Sequence, residues 1–133
     1  VEPKKYSLYV EALTHPSYAN DHHLSYNYER LEFLGDSVIS LIVAQFLYLN
    51  FPNAKVGELS KTRTMMVQSK AEALVANKIQ LIKYLNIGNS LKNVKDYTKI
   101  LEDAYEALIG AIYLDQGIYA AAKVIVETIC KEY

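Results

Sequence analysis

The sequence predicts an all-α domain. Apolar residues recur at steps of three and four nearly everywhere, and no segment of strict alternation bounded by turn signals stands out. With 51% apolar and 22% charged residues the chain can bury a core, and three prolines and five glycines leave little room for linkers.

The elements follow in order. A first helix is expected over Lys4 to Leu13, stopped at Thr14-His15-Pro16-Ser17 because a proline disfavours helical geometry in the residue before it. A polar loop is expected from there to Asn27. The next helix starts near Tyr28 with Asn27 as N-cap, its stripe formed by Leu31, Leu34, Val38, Leu41, Ile42 and Leu49, and Phe51-Pro52-Asn53 ends it. Val56 to Met66 is helical, entered through Gly57, and runs on into Val67 to Ala76 with Ser69 as a cap between the pieces. A short helix closes at Lys83 to Leu85, Ile87-Gly88-Asn89-Ser90 breaks the pattern, and Leu91 to Asp96 reads as a loop or short helix. Residues 98–115 form another helix, closed by Gly117 in a left-handed conformation, and a last helix covers about Ala120 to Lys131.

A chain of 133 residues supports one core, so residues 1–133 read as a single domain. One cysteine, Cys130, cannot form an internal disulfide, which fits packing and a reducing, cytoplasmic setting. Polar residues break the apolar runs short of the roughly 20 residues a membrane span needs, so no membrane is expected. The chain opens on Val1 rather than Met, so it reads as a piece of something longer. A net charge of −1 gives no general attraction to phosphate backbones.

Two acidic clusters, Glu29 to Asp36 and Glu102 to Glu106, interrupt apolar helical patterns. On a helix Glu32 and Asp36 project from one face a turn apart, and so do Asp103 and Glu106. Like charges at that spacing are unfavourable unless a cation lies between them. Oxygen-only ligands without accompanying Cys or His favour magnesium, manganese or calcium over zinc. Each cluster shares its helix with a glycine, Gly35 or Gly110, which costs about 1 kcal/mol of helix propensity against alanine. A glycine admits another backbone, so the two helices are expected to cross beside their acidic faces and gather four carboxylates around one point.

These residues resemble a known family. YERLEFLGDS at 28–37 is similar to the signature of the ribonuclease III endonuclease domain, and LEDAYEALIGAIYLDQG at 101–117 to its second acidic motif. LTHPSY at 13–18 and GELSKTR at 57–63 extend the resemblance over nearly the whole chain in the family's order. The resemblance implies an all-helical, homodimeric domain cleaving double-stranded RNA with Mg2+, Mn2+ able to substitute, and no small-molecule cofactor. The implied products carry 5′-phosphate and 3′-hydroxyl ends with a short 3′ overhang. Implied substrates are ribosomal RNA precursors and structured transcripts. A separate double-stranded-RNA-binding domain, absent from these residues, normally follows in the family.

Carried across by position, Glu32, Asp36, Asp103 and Glu106 match the catalytic, metal-binding acids. Glu29 matches an accessory acid near the subunit interface, and Phe33 an aromatic inserted into a pocket of the partner subunit. Ser60, Lys61, Arg63 and Lys70 match the segment bordering the RNA. The sequence departs from the family pattern at Tyr28, at Glu102, where a small residue is usual, and at Val56, where many relatives carry another acid. His15, His22 and His23 lack acidic or Cys partners at ligand spacing and read as structural or surface residues. The twelve tyrosines are scattered and read as core and interface filling. An alternative is an inactive ribonuclease III-like dimerisation or RNA-scaffolding module, usually marked by loss of the metal ligands, all four of which are present here. A di-iron bundle would need Glu-x-x-His pairs, which are missing.

Overall fold

The longest helix, α3 (Glu29–Asn50), lies against α6 (Thr98–Gln116), and the other elements surround that pair. They are α1 (Tyr6–Ala12), α2 (Pro16–Asp21), α4 (Val56–Met66), α5 (Ser69–Lys78) and α7 (Ile118–Thr128), with 3-10 turns at Leu81–Tyr84, Asn89–Leu91 and Cys130–Glu132. The computed structural model describes residues 4–132, apart from the side chains of 69–71, 74 and 132. Among the described residues there is no sheet; a single parallel bridge joins Thr14 to Asn86. The all-α expectation holds.

Ten residues of α6 are buried, Leu101, Ala104, Tyr105, Ala107, Ile109 and Ile112 among them, because α1, α3, α5 and α7 all pack on it. From α3, Leu31, Val38, Ile39, Ile42, Val43 and Leu47 complete this core. By length and composition α3 could cross a membrane, but this buried stripe is that of a core helix. Leu41 and Leu49, expected in the stripe, are exposed.

The crossing is set by main chain. A Cβ on Gly35 would lie 1.7 Å from Glu106 O, and one on Gly110 would lie 2.4 Å from Leu31 O. Only hydrogen at both positions lets α3 and α6 come this close. The two mid-helix glycines are thus accounted for, and the expected close approach is present.

Several boundaries differ from expectation. The segment from Thr14 to Asn27 is not all loop: Pro16 occupies the first turn of α2, where its missing N–H is harmless, and His15 Nδ1 accepts a 2.9 Å hydrogen bond from Ser17 N. Asn27 Oδ1 does accept from Glu29 N at 2.8 Å, as a capping residue should, although Tyr28 holds the N-cap position. Helix α4 begins at Val56, ahead of Gly57, and Gln68 rather than Ser69 precedes α5. Gly117 has positive φ (+95°) but extended ψ (178°), so it closes α6 and opens α7 at once, which starts the last helix at Ile118.

Long-range polar ties hold the periphery. His15 N donates to Asn86 O (3.0 Å), Asn86 N to Leu13 O (2.8 Å) and Tyr28 N to Thr14 O (2.9 Å), locking the start of α3 to two loops. The Asp115 carboxylate accepts from Lys4 N (3.0 Å), Lys5 N (2.8 Å) and the Tyr9 hydroxyl (2.8 Å). Desolvation opposes ionisation of Asp115, but these bonds and one from Gln116 win and hold it down at about 2.

Candidate metal centre

Where α3 and α6 cross, the acids of both helices face a common region. Glu32 on α3 and Asp103 on α6 come within hydrogen-bonding reach of each other, and the Glu106 charge also acts on Glu32. Asp36 acts electrostatically on Glu106 and on Glu72. The four acids identified in the sequence therefore share one electrostatic neighbourhood in unequal settings. Glu32 is half-buried, Asp36 exposed, Asp103 mostly covered and Glu106 buried.

Burial pushes the Glu32 carboxyl up to about 7, with the Asp103 and Glu106 charges adding to the shift and Lys99 opposing it. Glu106 also rises to about 7, first from burial, then from the charges of Asp36, Glu102 and Asp103. Lys99 Nζ, one helical turn before Asp103, pairs with its Oδ1 at 2.9 Å and is far more exposed than its partner.

Sequence reasoning missed Glu72. Its side chain is fully buried, it approaches Glu106, and neither of its oxygens accepts a hydrogen bond from a protein donor. Desolvation first, and then the neighbouring acids Glu106, Glu102 and Asp36, push the Glu72 carboxyl up to about 11. Glu102, noted in the sequence as an extra acid, completes this group: one carboxylate oxygen from each of Glu72, Glu102 and Glu106 lies within 4.8 Å of the others. Helical spacing held a signal for Glu72, since Val75 and Ala76 share its face and the stripe points inward.

The remaining residues separate by setting. Glu29 is exposed at the start of α3. Phe33 is 80% exposed and borders a hollow of about 1010 Å3 lined by Leu8, Tyr26, Arg30, Leu34 and Leu114. Ser60, Lys61 and Arg63 lie on the outer side of α4, Ser60 and Lys61 exposed and Arg63 at its C-terminal turn, while the Lys70 side chain lies outside the described residues. His15 is taken up by capping α2 and meets the Tyr28 ring edge-on with centroids 5.4 Å apart; burial lowers its pKa, partly offset by Asp103 and Glu29. Tyr18 stacks on His22 at 4.1 Å. Tyr28 and Tyr105 are core, but Tyr6, Tyr48, Tyr84 and Tyr119 are exposed, so the tyrosines do not serve one purpose.

Fold and centre together define a class: an all-helical domain whose two longest helices cross backbone to backbone and gather oxygen-only ligands suited to a hard divalent cation. The family model described as Ribonuclease-III-like matches residues 5–133, and the chain belongs to the ribonuclease III family. It is 50% identical over 126 residues to ribonuclease 3 of Mycoplasmoides gallisepticum, covering 95% of this chain and 19% of that protein. Ribonuclease 3 of Aliarcobacter butzleri is 43% identical over 132 residues, covering 98% of this chain and 57% of that protein. The chain thus spans a fifth to just over half of these curated relatives. Among solved structures, the nuclease domain of ribonuclease III from Campylobacter jejuni, described for structural flexibility in a region involved in dimer formation, is 38% identical with a TM-score of 0.89. That match covers 99% of this chain and 91% of the other.

Proposed function

We propose that this domain is the catalytic unit of a divalent-metal-dependent endoribonuclease that hydrolyses double-stranded RNA as a homodimer. The observation that carries the reading is the convergence of acids from α3 and α6 at a crossing fixed by Gly35 and Gly110. The donor set fits Mg2+ or Mn2+: it is all carboxylate, partly buried, and two members come within reach of each other. In this reading Glu32, Asp36, Asp103 and Glu106 hold the ion, and Lys99 holds the Asp103 carboxylate in place. When bound, a divalent ion supplies an activated water and electrostatic relief for the phosphodiester. No side-chain nucleophile is then required.

The exposed Phe33 beside a hollow whose lining mixes Leu8, Leu34 and Leu114 with Glu11, Glu29 and Arg30 supports the homodimer, because a two-fold axis lets each subunit insert the same residue into the other. Glu29, at the same end of α3, lies at the edge of that interface. Ser60, Lys61, Arg63 and Lys70 are assigned to the RNA phosphates, with duplex shape and 2′-hydroxyls supplying recognition. A net charge of −1 supports weak, salt-sensitive binding by these residues alone. A cytoplasmic setting goes with this reading, supported by one buried, unpaired cysteine.

The test is incubation of a simple RNA duplex with and without Mg2+, with product ends mapped. Staggered 5′-phosphorylated products that require Mg2+ are expected. An uncut duplex, with the dimer intact, would instead favour an inactive scaffold.

A further inference from the structure

Behind the outer acids, Glu72 feels the charges of three further acids, Glu106, Glu102 and Asp36. Glu72, Glu102 and Glu106 are 0%, 8% and 7% exposed, so all three are more than nine-tenths buried. Both oxygens of Glu72 and Oε2 of Glu102 accept no hydrogen bond from the protein. A buried carboxylate without a partner costs several kcal/mol, and three sharing one place cost more, so the group must either hold protons or be met by positive charge. Lys99, the cation paired with Asp103, is 76% exposed.

We propose that Glu72, Glu102 and Glu106 form an inner site for a hard divalent cation, distinct from the outer site of Glu32, Asp36 and Asp103 and joined to it through Glu106. The spacing suits such an ion: oxygens on one cation lie at most about twice the metal–oxygen distance apart, roughly 4–5 Å, and these lie within 4.8 Å. The donors are carboxylates alone, which selects Mg2+, Mn2+ or Ca2+ over thiophilic metals. Full burial of Glu72 keeps an RNA phosphate away from this ion. Its part is to neutralise the interior acids and fix the Glu106 carboxylate from behind. The proposal rests on the metal-dependent reading above only in sharing Glu106.

The test uses the whole chain, stripped with EDTA and titrated with Mn2+ while free Mn2+ is followed by electron paramagnetic resonance. Wild type is compared with Glu72→Leu, Glu102→Gln and the double variant Glu32→Gln/Asp103→Asn. Wild type is expected to bind one more Mn2+ per protomer than Glu72→Leu or Glu102→Gln, and Mn2+ should still raise the Tm of the double variant. Glu72→Leu removes a buried acid and fills its volume with carbon, so it is expected to fold. If Glu72→Leu and Glu102→Gln bind as many Mn2+ as wild type, with affinity unchanged, the inner site is overturned. Loss of Mn2+ from the double variant together with retention in Glu72→Leu overturns it equally, while leaving the outer assignment standing. Retention in the double variant and loss in Glu72→Leu supports the inner site whatever becomes of the outer one.

Discussion

The two halves of the acidic centre differ in how they tolerate charge. On the outer side Asp103 is paired with Lys99, Glu32 is half-buried and Asp36 reaches solvent, so water and one lysine can screen them. On the inner side Glu72, Glu102 and Glu106 are buried among one another, and two of the three carry oxygens with no protein donor. Glu106 belongs to both halves. An acid at a surface needs only solvent, whereas an acid in a core needs a proton or a specific counter-charge. The inner half therefore depends on neutralisation far more than the outer half does.

The sharpest way to break this comparison is at the shared residue. Glu106→Gln keeps shape and removes charge, so duplex cleavage in Mg2+ should fall by more than the roughly 10–100-fold that loss of a mere supporting partner costs. Persisting cleavage would remove Glu106 from the machinery. Next comes the crossing: Gly35→Ala forces a methyl group to 1.7 Å from Glu106 O and should destabilise by about 3 kcal/mol or more, read as a fall in Tm. An unchanged Tm would mean that the helices can part without penalty.

A third change separates the halves. In EDTA, Glu72→Leu should stabilise the protein by about 1–3 kcal/mol, because a desolvated acid gives way to an apolar side chain. Destabilisation in chelator would show that Glu72 has a favourable partner. A pH series is a gentler probe. In the metal-free protein Glu32 and Glu106 keep their protons up to about 7, above the ordinary value of 4.5. The folded state then binds more protons than the unfolded chain between these limits, so the contribution of these groups falls as pH rises from 4.5 through about 7 and is level below that window. Thermal scans in EDTA should show Tm declining across the window, with a shallower slope in Glu32→Gln. The smallest effect belongs to Lys99→Ala, less than about 1 kcal/mol for so exposed a pair.

Much of this was legible in the chain because helical spacing and glycine chemistry are local. Glu32 with Asp36, Asp103 with Glu106, and a glycine in each helix announced a crossing, and Gly35 and Gly110 do meet there. Helix α2 was not legible, since Pro16 reads as a breaker unless the residue before it is seen to cap, and His15 is an uncommon cap. Glu72 escaped for another reason. One acid in a short alanine-rich helix looks like a solvated face until α6 is known to cover it. Glu102 was visible as a departure, but its companion lay thirty residues away in sequence.

Main chain rather than side chains sets the gauge between α3 and α6. Volume-conserving changes at apolar neighbours such as Ile39, Val43 and Ile109 should therefore leave the separation of the acids unaltered.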